Sequence, residues 1–162
     1  MSSVFRVEGI RPARASDLED LCELWLEIAR HHEGLHPSFT LRGSSEFEVR
    51  KLLRALLDDH EAAAFVAEAE GAVGGMSCVR IDRAPPILRE AERAQITDLA
   101  VLRELRRRGL GSALAKAALS WVRERGVERV EVRVAVANRE GQAFWRSLGF
   151  GDHVNVLHRN IS

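Results

Sequence analysis

The chain has 162 residues, 46% of them hydrophobic, and its 24 basic residues balance 24 acidic ones to a formal charge of zero. That length fits a single domain over residues 1–162 with room for a core, and the apolar share excludes intrinsic disorder. Zero net charge argues against a dedicated nucleic-acid binder or membrane-surface protein, and no stretch approaches a membrane span.

Val4 to Ile10 reads as a first strand ended by Arg11-Pro12, too short and too charged for a signal peptide. Ser16 and Glu19 have capping-box spacing before a helix with Leu18, Leu21, Cys22, Trp25, Ile28 and Ala29 on one face; His32 continues that stripe. A loop follows, and Ser45 with Glu48 repeats the signature before Val49, Leu52, Leu53, Leu56 and Leu57. Ala63 to Ala69 and Val73 to Ile81 read as a hairpin turning at Glu70-Gly71. The pair Gly74-Gly75 signals a bulge or the close approach of another chain or ligand. Arg83 to Arg93 is read as a mobile loop. Ala94 to Val101 reads as a central strand, and apolar residues from Leu110 to Val122 fall at steps of three and four, with Gly126 placed to end that helix. Val127 to Ala137 then reads as a strand parallel to the central one, Asn138 to Ser147 as a short helix, and Val154 to Leu157 as a final strand. The order β-α-α-β-β-β-α-β-α-β is a mixed α/β sandwich. Cys22 and Cys78 lack metal-like spacing and read as buried thiols in a reducing cytoplasm.

The chemistry concentrates where the central strand meets its helix, at Arg106, Arg107, Arg108, Gly109, Leu110, Gly111 and Ser112. Unpaired N–H groups and the positive end of the helix dipole meet at such a junction, and the glycines let an anion approach the backbone. The run is not a P-loop, because no Lys follows Gly111, nor a dinucleotide fingerprint, because Leu114 stands where a third glycine is needed. It is a phosphate site or, failing that, a solvated arginine run.

Arg106-x-x-Gly109-x-Gly111 resembles the [Gln/Arg]-x-x-Gly-x-[Gly/Ala] loop of the GCN5-related N-acetyltransferases (GNAT). Asn138 followed by Phe144-Trp145-Arg146-Ser147-Leu148-Gly149-Phe150 is similar to the family's closing element, and with Ile10-Arg11-Pro12-Ala13 the likeness spans nearly the whole chain. The resemblance implies a mixed, mostly antiparallel sheet flanked by helices, with a parallel central pair splayed around CoA. It implies acetyl-CoA as cosubstrate and a small-molecule or protein amine as acceptor; with no metal, nucleic acid or membrane expected from the residues themselves, the one further partner admitted is a second copy, in a homodimer. By the same resemblance the CoA contacts fall at Leu99, Ala100, Val101, residues 106–112, Asn138, Phe144 and Trp145, with the Val101 N–H as oxyanion donor. Asn138 equally suits a helix N-cap.

A bound ammonium must lose a proton before it attacks. Asp98 is the only carboxylate on the central strand, and it is either the general base or a buried structural acceptor. Simple alternation puts Ile96, Asp98 and Ala100 on one face and Thr97, Leu99 and Val101 on the other. Trp145 stands where the family commonly has a tyrosine acid, and the chain contains no tyrosine. An indole N–H is not a useful acid, so Trp145 reads as a packing wall; water or Ser147 would protonate the leaving thiolate. A thiol of pKa ~8.5 leaves tolerably without help. On the acceptor side the resemblance points to the loop after the first helix, with His31, Glu33 and His36 as candidates against a reading as solvated helix-end residues. Their spacing is not that of a metal site. The expected function is direct acetyl transfer to a primary amine in a ternary complex. The alternatives are an acyl-CoA-binding module without turnover and, against the charge balance, a nucleic-acid binder.

Overall fold

The computed structural model describes residues 7–161. Its strands are β1 (Val7–Pro12), β2 (Ala62–Ala69), β3 (Ala72–Arg83), β4 (Glu92–Val101) and β5 (Val130–Val132), and its helices α1 (Leu18–Glu33), α2 (Ser45–Asp58), α3 (Leu110–Glu124) and α4 (Arg139–Ser147). The sheet runs in sequence order, antiparallel from β1 to β4 and parallel between β4 and β5. Helices α1 and α2 cover one face around Leu21, Leu53, Val66, Met76 and Cys78. Helix α3 covers the other around Val79, Ile96, Leu114, Ala118 and Val122, and Trp145 of α4 and Phe150 pack against that cluster. The 3.6-residue stripes read from the sequence are the faces that these helices bury.

The β2–β3 hairpin turns at Glu70 and Gly71, with φ of 54° and 74°, so both central residues adopt the left-handed geometry that suits a two-residue hairpin. Gly74 has no partner on β2, because the register steps from Ala67↔Gly75 to Glu68↔Val73. A Cβ on Gly74 would lie 2.2 Å from Leu105 Cδ1, and one on Gly75 would lie 2.9 Å from Ala100 O. The bulge reading holds, and what approaches the pair is this chain's own Leu105 and Ala100 rather than another chain or a ligand.

Several expectations change. The described part of β1 continues through Arg11 and Pro12 rather than ending at Ile10, and Val4 to Arg6 lie outside the described residues. Neither capping box forms, and the N-caps, Asp17 and Ser44, make no side-chain cap bond. Before α1 a 3-10 turn (Ala15–Asp17) intervenes, in which the Asp17 carboxylate accepts the Arg14 N–H at 2.7 Å and a two-pronged bond from Arg11 at 2.8 and 2.9 Å. Arg11, and then the Arg14 N–H, hold this buried carboxyl below its ordinary pKa against the opposing effect of burial. The connection after β3 shrinks to residues 84–91, tied by Ala84 N–H to Ala91 O. Only Val130–Val132 of the expected 127–137 strand pair with β4, and Val154 to Leu157 form no strand.

Candidate functional site

The site begins with a fault in β4. Cys78 pairs with Asp98, yet Val79 pairs with Ile96, so Thr97 is an extra residue without a β3 partner. A bulge reverses the alternation beyond it. Ile96 therefore faces α3, while Asp98 and Ala100 face α1, which corrects the face assignment made from simple alternation. Pairing with β5 stops at the same place, the last pair being Ile96↔Val132. Beyond it β4 continues alone on that side.

The main-chain groups of this unpaired stretch have a determinate direction. Leu102 N–H donates to Gly74 O at 2.9 Å, so by antiparallel alternation the Ala100 and Asp98 peptides bond to β3. The N–H and C=O groups of Leu99 and Val101 then point toward the opening beside β5. Arg106 Nε donates to Val101 O at 2.9 Å, and the same guanidinium pairs with Glu27 at 3.3 Å. Arg106 thus braces the end of β4 and is not simply a charge held out for phosphate, a role that the loop motif alone does not reveal.

Arg107 and Gly109 take positive φ, 64° and 82°, which turns the chain sharply into α3. The first bond closed at that end is Ala113 N–H to Gly109 O at 3.0 Å, and no side chain caps the helix. The N–H groups of Leu110, Gly111 and Ser112 therefore emerge at the helix end, where the dipole favours an anion. A Cβ at Gly111 would sit 3.3 Å from Phe144 Cε2 and 3.7 Å from Leu99 Cδ2. Gly111 is thus needed for the approach of α4 to α3 and β4 as well as for access to the backbone.

Asp98 is half-buried on the α1 side. Burial raises its pKa above the ordinary carboxylate value; hydrogen bonds from Thr97 and the Trp25 indole, and the electrostatic influence of Arg80 and His32, act in the opposite direction. A raised pKa moves a carboxylate toward the range useful to a base at neutral pH. His32, assigned from sequence to the core stripe, is the histidine that the fold brings toward Asp98. Its Nδ1 lies 3.0 Å from Ile28 O, which accepts the Nδ1–H and leaves Nε2 as the acceptor nitrogen of a neutral ring. Its position on the α1 stripe was the available signal, because that stripe faces β4.

The other acceptor-side candidates do different work. His31 is exposed, its ring edge-on to His32. Glu33 Oε1 accepts the Leu41 N–H at 2.7 Å and ties down the loop. His36 Nδ1 accepts the Ser38 N–H at 3.1 Å and caps the 3-10 turn Pro37–Phe39, with its ring 5.1 Å from that of His158. At the far side, Asn138 Oδ1 accepts the Gly141 N–H at 2.9 Å, which makes Asn138 the N-cap of α4. Trp145 stacks edge-to-face with Phe144 at 5.0 Å and Phe150 at 5.1 Å and packs against the core cluster under α3. The Ser147 hydroxyl donates to Phe144 O at 2.6 Å and is committed to its own helix.

A sheet opened beside β4, with outward main-chain groups leading to an uncapped helix end, offers helix-end N–H groups suited to phosphate and a strand edge suited to an amide-bearing arm, so the residues present would fit an acyl-CoA. The model of the acetyltransferase (GNAT) family matches residues 18–150, and the chain belongs to that family. It is 34% identical over 106 residues to an N-alpha-acetyltransferase of Sulfurisphaera tokodaii, covering 62% of this chain and 63% of that protein. It is 28% identical over 151 residues to an uncharacterized N-acetyltransferase of Methanocaldococcus jannaschii, covering 91% and 62%. The chain thus spans a little over three-fifths of the length of these curated relatives. Among solved structures, a GCN5-related N-acetyltransferase of Ralstonia eutropha superposes with a TM-score of 0.79 at 22% identity over 96% of this chain and 99% of that one. An aminoglycoside N-acetyltransferase, AAC(6')-Iy, in complex with CoA superposes at 0.76 with 19% identity over 99% and 98%. At these identities the structures establish the fold. Among the described residues no helix is long and apolar enough to cross a membrane, and no three His, Cys, Asp or Glu are grouped to hold a metal.

Proposed function

We propose that this chain is an acetyl-CoA-dependent N-acetyltransferase that transfers the acetyl group directly to a primary amine. The observation that carries the reading is the coincidence at Thr97: the bulge turns Asp98 toward α1 where β4 parts from β5, and the exposed strand edge leads to the free N–H groups of α3. Acetyl-CoA would bring the activated acetyl group as a thioester. The N–H groups of Leu110, Gly111 and Ser112 would hold its phosphates, Leu99 and Val101 would pair with its arm through their main chain, and Val101 N–H would polarise the acetyl carbonyl. Arg106 keeps the Val101 peptide oriented by holding its carbonyl. Phe144 and Trp145 close the opposite side, and Asn138 holds the start of α4. Asp98 takes the proton of the incoming ammonium, with His32 Nε2 beside it as a second acceptor. The acceptor enters past the α1 end, where His36 and Glu33 shape the loop. The buried free thiols of Cys22 and Cys78 fit a reducing compartment such as the cytoplasm.

A second reading, acyl-CoA binding without turnover, draws on one observation: with Trp145 in place of tyrosine and Ser147 bonded to Phe144 O, neither side chain is set to protonate a leaving thiolate. One experiment separates the two. Calorimetry with CoA and a thiol-release assay over a panel of primary amines with acetyl-CoA should show both binding and turnover. Binding without turnover across the panel supports the second reading, and the absence of CoA binding refutes both.

A further inference from the structure

What keeps the Val101 peptide in place lies partly on α1, outside every motif of the sequence. We propose that Glu27 is a positioning residue for acetyl transfer: through Arg106 it fixes the end of β4, and with it the direction of the Val101 N–H. This rests on the acetyl-transfer reading, in which that N–H is the oxyanion donor.

Past Thr97, β4 pairs with β3 on one side and with no strand on the other. The peptide joining Val101 to Leu102 is nevertheless pinned at both ends. Leu102 N–H donates to Gly74 O at 2.9 Å, and Val101 O accepts from Arg106 Nε at 2.9 Å. The Val101 N–H is separated from that plane by the two torsions of one residue, so fixing the plane narrows its direction. On the Gly74 side the contact is backbone to backbone. On the other it depends on a long side chain reaching back across the 3-10 turn Arg103–Leu105, and ordering such a side chain costs rotamer freedom unless its head group is held. Glu27 holds it: its Oε1 lies 3.3 Å from Arg106 Nη2, 79 residues away in sequence. The Nε–H and one N–H of Nη2 project in parallel from one edge of the planar guanidinium. Two acceptors on that edge therefore set its position and its rotation together.

Glu27 also links this contact to the acceptor side. Trp25 and His32, which face Asp98, lie on the same helix. With Glu23, Leu26 and Leu102, Glu27 lines a groove of about 510 Å³ between α1 and α2. A shift of α1 thus moves the surroundings of the base and the support of the oxyanion donor together. Glu27 is 40% and Arg106 43% exposed, so water screens the pair and its contribution is modest.

Glu27→Gln removes the charge and keeps the shape. With the best amine of the panel it should lower kcat about three- to fivefold, while KM for that amine and CoA affinity stay within about twofold of wild type. In an Arg106→Gln background the same change should have no further effect, because the pair is already gone. Glu23→Gln, on the same wall of the groove, should leave kcat unchanged. In the free chain, the Nε–H resonance of Arg106, identified by its loss in Arg106→Gln, should exchange with water about threefold faster or more in Glu27→Gln than in wild type. An unchanged kcat, an effect that persists in full without Arg106, a rise in amine KM in place of the fall in kcat, an equal effect of Glu23→Gln, or unchanged Nε–H exchange would each overturn the proposal. No turnover by wild type would remove the acetyl-transfer reading and this role together. The exchange comparison needs neither acetyl-CoA nor amine, and would still decide whether Glu27 holds Arg106.

Discussion

Gly75→Ala tests how the hairpin glycines shape the site. An added Cβ would lie 2.9 Å from Ala100 O, 3.0 Å from Leu114 Cδ1 and 3.4 Å from Val101 Cγ2. The first contact is with backbone and cannot be relieved by a rotamer change. Relief requires β4 to move away from β3 by about half an ångström, at the residue next to the Val101 peptide. Leu114 is fully buried and cannot yield freely either. Overpacking of this kind costs about 1–3 kcal/mol, which in a chain of this size lowers Tm by roughly 2–12 °C. Because the displacement falls on the proposed oxyanion donor, kcat should fall about tenfold or more while CoA affinity, which the proposed reading places mainly at α3, changes little. Differential scanning calorimetry and steady-state kinetics would measure both effects. Gly43→Ala is the control, since a Cβ there meets nothing within 4 Å and should leave Tm within 1 °C. If Gly75→Ala also melted within 1 °C of wild type at unchanged kcat, the packing argument for this glycine would be wrong.

Asp98→Asn should lower kcat/KM at neutral pH, with recovery as pH rises and more amine arrives already neutral; a profile unchanged in shape would make Asp98 structural. Burial raises the folded-state pKa of Asp98 above 3.8, so this carboxyl favours the fold fully only below about that pH and loses its contribution as pH rises through the folded value. The Asn variant should accordingly melt no lower than wild type at pH 7, and any advantage should vanish near pH 4; a reversed order would show that the charged carboxylate is stabilised by its partners. His32→Gln keeps a polar side chain but removes Nε2 as a proton acceptor, and should lower kcat/KM across the pH–rate profile without changing CoA binding. An identical profile would remove His32 from the proton path. Trp145→Phe should retain turnover within about tenfold, since removal of a true acid costs about 10²-fold or more; a collapse of kcat at normal CoA affinity would give the indole a direct part.

The local signals in this chain were sufficient for the element order as far as α4, the Glu70-Gly71 hairpin and the glycine loop before α3, because periodicity, turn chemistry and backbone freedom are properties of neighbouring residues, whereas the strand expected at Val154 to Leu157 does not form. The packing role of Trp145 was also legible, since it follows from what an indole lacks. The capping boxes failed for a reason outside their own segments: Asp17 is engaged by Arg11 from β1, which starts α1 differently. Tertiary structure likewise decided which face of β4 carries Asp98. Nothing in Gln95-Ile96-Thr97-Asp98 marks Thr97 as a bulge; that depends on how β4 registers against the distant strand β3, at Cys78↔Asp98 and Val79↔Ile96. The bulge sends Asp98 to α1, and with it makes His32 rather than His31 the nearby imidazole. Arg106 reads in sequence as part of a phosphate loop, but the fold turns it back on Val101 O and Glu27. Sequence specifies which residues can bend, cap or carry charge, while side-chain partnership across strands and helices is a long-range property that only the packed chain determines.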